Sequence, residues 1–368
     1  VNLEWVETVA AKELAPLAAA GQPGVINRPL LAALAEHGLL GQVFRRGDAG
    51  FLPTSAMDLC LIREGLARFS TEAETTLAVQ GLGAYPILRA GRPEVVDAWL
   101  PRIAGGEVAA GFALTEPDAG SDVASLALRA VPDGDGFRLS GEKTFISNAP
   151  DADIYSVFAR TTPDAGSRGI TAFAVPRATK GLSGERLTMV SPHPIGRLHF
   201  DNVHVPASHL LGDLDGGMRV AMQTLDLFRP SVGAFAVGMG QAALDAAVAH
   251  AATRQAFGRP LREFQAVSHQ LAEIATRLHA ARLLVHDAAA AYDSGVGRTG
   301  HLSAMAKLFA TETAQLAVDT AIQVHGARAL EHGHILEHLY REVRAPRIYE
   351  GATEIQREII ARHLFRNR

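Results

Sequence analysis

The chain has a single cysteine in 368 residues, Cys60, so no disulfide can form within it. That suits a reducing compartment. No cysteine–histidine cluster has zinc spacing; His193, His199 and His204 lie near one another but in a strand-rich stretch, and no metal is expected. No continuous apolar run reaches the roughly 18 residues of a membrane span, so no membrane is expected as a partner. The first twenty residues carry Glu4, Glu7 and Glu13 in place of a basic start and an apolar stretch. A secretory signal is therefore not expected and a cytoplasmic location is, with room for a leader removed ahead of Val1. A basic tract is missing too. With 35 basic and 39 acidic residues the net charge is −4, which argues against nucleic acid.

What is present is the composition of a globular protein, 48% hydrophobic and 20% charged, long enough for two or three domains and a large core. Residues 1 to about 110 read as helices broken by turns. Asn27-Arg28-Pro29 opens one with Leu30, Leu31, Leu34 and Leu39 at helical spacing. Others are expected over 57–69 and 71–89 and from Arg92-Pro93, and Gly105-Gly106 ends the run. Five short runs rich in aromatic and β-branched residues follow: 137–140, 143–147, 154–159, 170–175 and 198–205. Turn signals separate them, which predicts a compact antiparallel barrel or sandwich. Long alanine-rich helices are expected over 218–251, 262–294, 301–325, 333–341 and 353–366, as in a bundle, with a kink or break at Pro230. The class is α+β, in three segments: an all-α domain 1–110, a β domain 111–217 and a helical bundle 218–368.

Two distant motifs stand out. Ala113-Leu114-Thr115-Glu116-Pro117-Asp118-Ala119-Gly120-Ser121-Asp122 reads as a strand running into a Gly/Ser turn, where backbone N–H groups and small hydroxyls can approach a phosphate or a ring edge. Ile348-Tyr349-Glu350-Gly351-Ala352-Thr353-Glu354-Ile355-Gln356 places a carboxylate at a hinge between two helical patterns. Taken alone, the first could be a plain turn and the second a carboxylate at a helix N-terminus. Between them lie Gly141-Glu142-Lys143-Thr144-Phe145-Ile146-Ser147-Asn148, where a strand would put Phe145 and Ser147 on one face. Further on come Arg254-Gln255-Ala256-Phe257-Gly258-Arg259-Pro260-Leu261 with Phe264-Gln265, and then Gln323-Val324-His325-Gly326-Ala327-Arg328.

In this order the motifs resemble the acyl-CoA dehydrogenase family of FAD enzymes, from about Arg63 to the C-terminus. The resemblance implies that FAD is held by Leu114, Thr115, Gly120 and Ser121, by Phe145, Ile146 and Ser147, and by Thr353 and Glu354. It also implies Arg254, Phe257, Phe264 and Gln265 on the cofactor of a neighbouring subunit, with Gln323, Gly326 and Ala327 on its adenosine side. The protein would then be a homo-oligomer, a dimer or tetramer, that shares its FAD sites. Glu350 would remove the proton α to an acyl-CoA thioester while hydride leaves the β-carbon for flavin N5. Ser121, Asp226, Arg229, Gly351 and Arg362 would border the substrate, and an electron-transfer flavoprotein would take the electrons. A carboxylate in an apolar site has a raised pKa and is a stronger base.

Several positions depart from the family pattern. Phenylalanine stands at 145 where tryptophan is usual. Ala327 and Ala329 replace glycines, Leu330 an aromatic and Ala352 a threonine. The stretch Met189-Val190-Ser191-Pro192-His193-Pro194-Ile195-Gly196-Arg197 replaces a hydroxyl-rich loop that contacts CoA in relatives. Some relatives carry the base on the first bundle helix; here that position is Phe228, which cannot take a proton. Phe228 beside Arg229, with Leu82 and Tyr85, suggests a restricted pocket for an aromatic, alicyclic or short branched acyl group. Two alternatives remain at this point: a same-fold oxidase or monooxygenase, or a dehydrogenase of a carrier-bound or non-CoA substrate. A binding protein or scaffold of this fold, for instance one near damaged DNA, is opposed by the acidic charge balance.

Overall fold

The computed structural model describes residues 1–48, 50–295 and 299–366. In chain order, helices α1 (Leu3–Val9), α2 (Ala15–Ala19), α3 (Arg28–Glu36) and α4 (Leu39–Val43) precede a hairpin of β1 (Phe44–Gly47) and β2 (Gly50–Pro53). Helices α5 (Ala56–Phe69), α6 (Thr71–Ala90) and α7 (Pro93–Ala104) follow. Next come strands β3 (Ala110–Ala113), β4 (Arg129–Asp133), β5 (Gly136–Ser147), β6 (Ile154–Arg160) and β7 (Ile170–Pro176). Strands β8 (Leu182–Arg186), β9 (Ile195–Pro206) and β10 (Leu210–Leu211) complete this run. The remainder is α8 (Gly217–Thr253), a short hairpin of β11 (Gln255–Ala256) and β12 (Arg259–Pro260), then α9 (Gln265–Asp293), α10 (Gly300–His325), α11 (Ile335–Val343) and α12 (Thr353–Phe365).

Two compact units form. One contains residues 1–11, 55–74 and 226 onward; the other contains residues 12–54 and 75–225. In the second unit, β10, β7, β6, β4, β5, β9 and β8 are hydrogen-bonded neighbours in that order, and β3 joins alongside β6. Most pairs are antiparallel, whereas β3 runs parallel to β6, from Ala110 opposite Ile154 to Ala113 opposite Val157. The two runs expected at 137–140 and 143–147 are one strand, because Gly141 at φ +142° carries the chain through the bend without a Cβ penalty. Leu139, Tyr155, Val157, Phe173, Val203 and Val205 fill the core of this sheet. Each large apolar side chain so buried contributes about 1.5–3 kcal/mol.

The position of β3 matters most, because it launches the 114–122 motif. Gln80 of α6 donates to the carbonyls of Val108 (2.6 Å) and Ile103 (3.2 Å) and accepts from Ala110 N (2.9 Å). Asp153 accepts from Ala109 N at 2.7 Å and from Arg28 at 2.6 Å. Gly83 lets α6 touch the strand: a Cβ there would lie 2.7 Å from Gly111 N.

In the first unit, α5 starts at Ser55, whose hydroxyl accepts from Asp58 N at 3.0 Å. The start of α5 is further tied to α9, since Asp293 accepts from Ala56 N (2.7 Å) and Met57 N (3.0 Å). Close helix packing uses Gly238 of α8, where a Cβ would meet Glu64 O at 2.4 Å.

The structure departs from expectation at two further points. The N-terminal region holds the β1–β2 hairpin, whose short alternating run was read as turn between helices. Helix α8 runs on through Pro230 without the break that was one of the two expectations there, and Ser231 donates its hydroxyl to Phe228 O at 2.7 Å beside it. Residues 217–253 also have the length and apolar content of a membrane-crossing helix, which counting continuous runs overlooks; 67% of the most apolar window is buried, as in a core helix.

Candidate active site

The 114–122 loop is fixed from beneath by a buried ion pair. Lys143 of β5, fully buried, donates to Glu116 (2.7 Å) and to the Leu114 carbonyl (2.9 Å). Glu116 also accepts from Leu128 N (2.9 Å) and Ala127 N. Thr144 N donates to Thr115 O at 3.0 Å, and the turn closes through reciprocal Glu116–Ala119 backbone bonds. Burial lowers the Lys143 pKa to about 8, against the attraction of Glu116. Glu116 and Lys143 therefore shape the loop, leaving Gly120, Ser121 and Asp122 exposed at its outer edge.

Phe145 interrupts β5. Its φ is +56°, the register with β9 shifts between Lys143 and Ile146, and its ring is 56% exposed while its neighbours Thr144 and Ile146 are buried. A phenylalanine held in the left-handed region with an open ring is costly unless something covers it. Ile146 points into the sheet core, so only its backbone can face a ligand. Ser147 is half-buried. This open aromatic, with exposed hydroxyl and backbone groups on the same unit, fits the face and edge of a flavin.

On the other unit, Glu350 sits in the bend before α12. Tyr349 N and Ile348 N both donate to Ala345 O (3.1 and 2.8 Å), ending the preceding turn. Glu350 then takes φ +51° and Gly351 φ +91°. Glycine is needed at 351, since a Cβ would also meet Gln356 Nε2 at 2.5 Å. Gln356 donates to Gly351 O (2.8 Å) and Glu350 O (3.2 Å), and Lys307 donates to Gly351 O at 2.8 Å. Among the described residues the Glu350 Oε2 is buried without a hydrogen-bond partner. Burial raises its pKa above the ordinary carboxylate value, and the charges of Arg63, Arg229 and Lys307 oppose that rise.

Each of these cations has its own anchor. Arg63, buried on α5, bonds to Glu74 of α6 and donates to Ser231 Oγ at 2.8 Å. Arg229 donates to Asp226 at 3.2 Å, while its Nε is buried and unpartnered among the described residues. Burial raises the Asp226 pKa despite Arg229. The Tyr349 phenol is also pushed well above its ordinary range by burial, so it stays neutral.

The remaining expected residues lie elsewhere on this unit. Arg254 and Phe257 belong to the β11–β12 hairpin, with Phe257 at φ +50° and 96% exposed. Phe264 packs 6.2 Å from Phe257 and under Arg259, just ahead of Gln265 at the start of α9. Gln323 is exposed near the end of α10, with exposed Gly326 and Ala327 in the following turn. Thr353 is buried and donates to Glu312 at 3.0 Å, whereas Glu354 is exposed. Arg362 is exposed and paired with Glu358 at 2.7 Å. Phe228 is buried.

Sequence reasoning missed Arg63, Lys307 and Gln356. A signal existed for two of them: Arg63 falls on the buried face of α5 with Leu59, Ile62 and Leu66, and Lys307 on that of α10 with Ala304, Ala310 and Ala314. A charge at an apolar periodic position needs a partner.

Comparison with known proteins agrees along the whole chain. Models of the acyl-CoA dehydrogenase N-terminal, middle and C-terminal domains match residues 3–107, 111–203 and 215–365. The chain belongs to the acyl-CoA dehydrogenase family: it is an FAD-dependent oxidoreductase that dehydrogenates acyl-CoA. It is 35% identical to cyclohexane-1-carbonyl-CoA dehydrogenase of Geobacter metallireducens over 99% of this chain and 96% of that protein. Among solved structures, a chain from work on the electron transferring flavoprotein of Acidaminococcus fermentans superposes with a TM-score of 0.93 at 32% identity, covering 99% of this chain and 97% of that one. The FAD complex of PigA gives a TM-score of 0.91 at 28% identity, covering 98% and 96%.

Proposed function

We propose that this enzyme introduces an α,β double bond into an acyl-CoA thioester with Glu350 as the base. The observation that carries the reading is the Glu350 carboxylate: Oε2 is buried, free of protein partners among the described residues, and raised in pKa by burial. Such an oxygen is available to take a proton from carbon and is a stronger base than a solvated carboxylate. Among the described residues the Glu350 backbone N–H also meets no acceptor, and it serves as a donor to the thioester carbonyl oxygen, where enolate-like charge develops. FAD, when bound, supplies the acceptor for the hydride that leaves the β-carbon.

Leu114, Thr115, Gly120, Ser121, Phe145 and Ser147 hold the flavin, with Ile146 contributing through its backbone. Asp226, Arg229, Gly351 and Arg362, on the unit that carries Glu350, border the substrate. Arg254 and Phe257 act on the cofactor of a second copy, which makes the enzyme a homo-oligomer; the almost fully exposed Phe257 ring supports this. An arginine fork suits a pyrophosphate. The three-segment division at 110 and 217 belongs to the same reading. An electron-transfer flavoprotein would serve as the electron acceptor of the FAD-loaded enzyme.

For the acyl group we favour a compact alicyclic or branched chain. The bulky Phe228 next to Arg229 in the chain and the alicyclic substrate in the Geobacter relative's name support this reading. The test is an anaerobic visible spectrum of the FAD-loaded protein with cyclohexane-1-carbonyl-, isobutyryl-, butyryl- and palmitoyl-CoA. Bleaching by the compact thioesters and not by palmitoyl-CoA is expected. Reduction by palmitoyl-CoA alone would overturn the size argument, and no reduction by any thioester would overturn the reaction.

A further inference from the structure

Among the described residues three cations act on the Glu350 carboxylate, and two of them are already paired with another carboxylate. Arg63 on α5 is bonded to Glu74, and Arg229 on α8 to Asp226. Lys307 on α10 differs. Its side chain is fully buried, its ammonium donates to Gly351 O at 2.8 Å, and among the described residues it bonds to no carboxylate. Gln356 of α12 reaches the same carbonyl at 2.8 Å and the Glu350 carbonyl at 3.2 Å. The turn they grip has a non-glycine residue at φ +51° followed by Gly351 at φ +91°. A left-handed glutamate persists only where its surroundings over-determine it.

We propose that Lys307 is the positioning residue of the catalytic turn: with Gln356 it fixes the left-handed conformation on which Glu350 is presented, and, among the described residues, it brings to the ionised carboxylate a positive charge that no other carboxylate pairs. This rests on the reading of Glu350 as the base. The other charges facing the pair are accounted for. Glu312, on α10, is taken by Arg347 (2.9 Å) and Thr353 (3.0 Å), and Glu354 of α12 faces solvent near Arg357. Glu342 of α11 acts on the neutral Tyr349 phenol. Burial pulls Lys307 down to about 8, with Glu350, Glu312 and Glu354 holding it up and Arg229 adding to the fall. It therefore carries its charge at neutral pH.

The experiment compares FAD-loaded wild type, Lys307→Met, Lys307→Arg and Glu350→Gln. Two readouts are taken: the pH profile of acyl-CoA-dependent flavin reduction, and the Glu350 carboxyl carbon followed by NMR against pH without substrate. In Lys307→Met the carboxyl titration and the acid limb of the rate move up together, by about one pH unit. Its maximal rate falls on the order of 10- to 100-fold with little change in KM, as expected for a mispositioned base. In wild type the Glu350 signal shows a second inflection near the Lys307 value of about 8. Lys307→Arg keeps the charge throughout and abolishes that inflection, a result that stands even if the methionine variant does not fold. A methionine variant with wild-type titration and rate, beside an inactive Glu350→Gln, overturns the role of Lys307 alone. Persistence of the upper inflection in Lys307→Arg does the same. An active Glu350→Gln would instead overturn the assignment of the base.

Discussion

Replacing Lys143 by methionine tests whether the 114–122 loop is held as described. The substitution keeps the side-chain length and removes two hydrogen bonds, to Glu116 at 2.7 Å and to Leu114 O at 2.9 Å. It leaves the Glu116 carboxylate buried with only the Ala127 and Leu128 N–H groups. Breaking one side of a buried pair costs about 3–5 kcal/mol, far more than an exposed ion pair is worth. Adding Glu116→Gln removes the orphaned charge, and its one amide oxygen can still accept from either Ala127 N or Leu128 N, which bond to different oxygens of Glu116. The double variant should therefore recover part of the loss, with a coupling of about 1–3 kcal/mol. Denaturant unfolding with FAD titration in parallel measures both effects, and FAD should bind more weakly in Lys143→Met than in the double variant. The pH dependence has a definite sign. Burial lowers the folded Lys143 from 10.5 to about 8, so between those values the unfolded chain holds a proton that the folded chain has released. The Lys143 contribution to stability accordingly rises with pH across that window and disappears in the methionine variant. A single variant within about 1 kcal/mol of wild type, well below the cost of breaking a buried pair, or a double variant no better than the single, would refute the clamp.

Two other outcomes follow from the geometry. Gly83→Ala should destabilise by about 1–3 kcal/mol through overpacking, since its Cβ would press on the Gly111 and Ala110 backbone, and thermal unfolding reads this directly. Because Glu350 must be ionised to act and burial raises its pKa, flavin reduction should fall with decreasing pH at values above those of a solvated glutamate; a limb at or below the ordinary value of 4.5 would contradict the desolvated site.

The sequence carried the architecture well where periodicity was strong. The long helices at 217–253, 265–293 and 300–325 fall close to the expected spans because their apolar stripes run over many turns. The β1–β2 hairpin was not legible, since two four-residue strands give too short an alternation to outweigh flanking helices. The break at Pro230 does not occur: proline removes one N–H and crowds the carbonyl four residues back, yet a long buried helix can continue past it where packing holds both sides. The site divides in the same way. Glu350 and the Gly-Ser turn were visible as motifs, whereas the left-handed backbone at Phe145 and Glu350 was not, because neither residue type announces a positive φ. Arg63 and Lys307 were hidden among apolar helix positions, and only three-dimensional packing shows that they act on Glu350.

The most direct test of the account is single-turnover flavin reduction, wild type against Glu350→Gln, under anaerobic conditions with a reactive acyl-CoA. The two proteins should carry the same FAD and bind the thioester alike. The reduction rate should be about 100- to 10 000-fold lower in the glutamine variant, the loss expected when a general base is removed. Equal rates in both proteins would contradict it, and would require the α-proton to be taken by some other group.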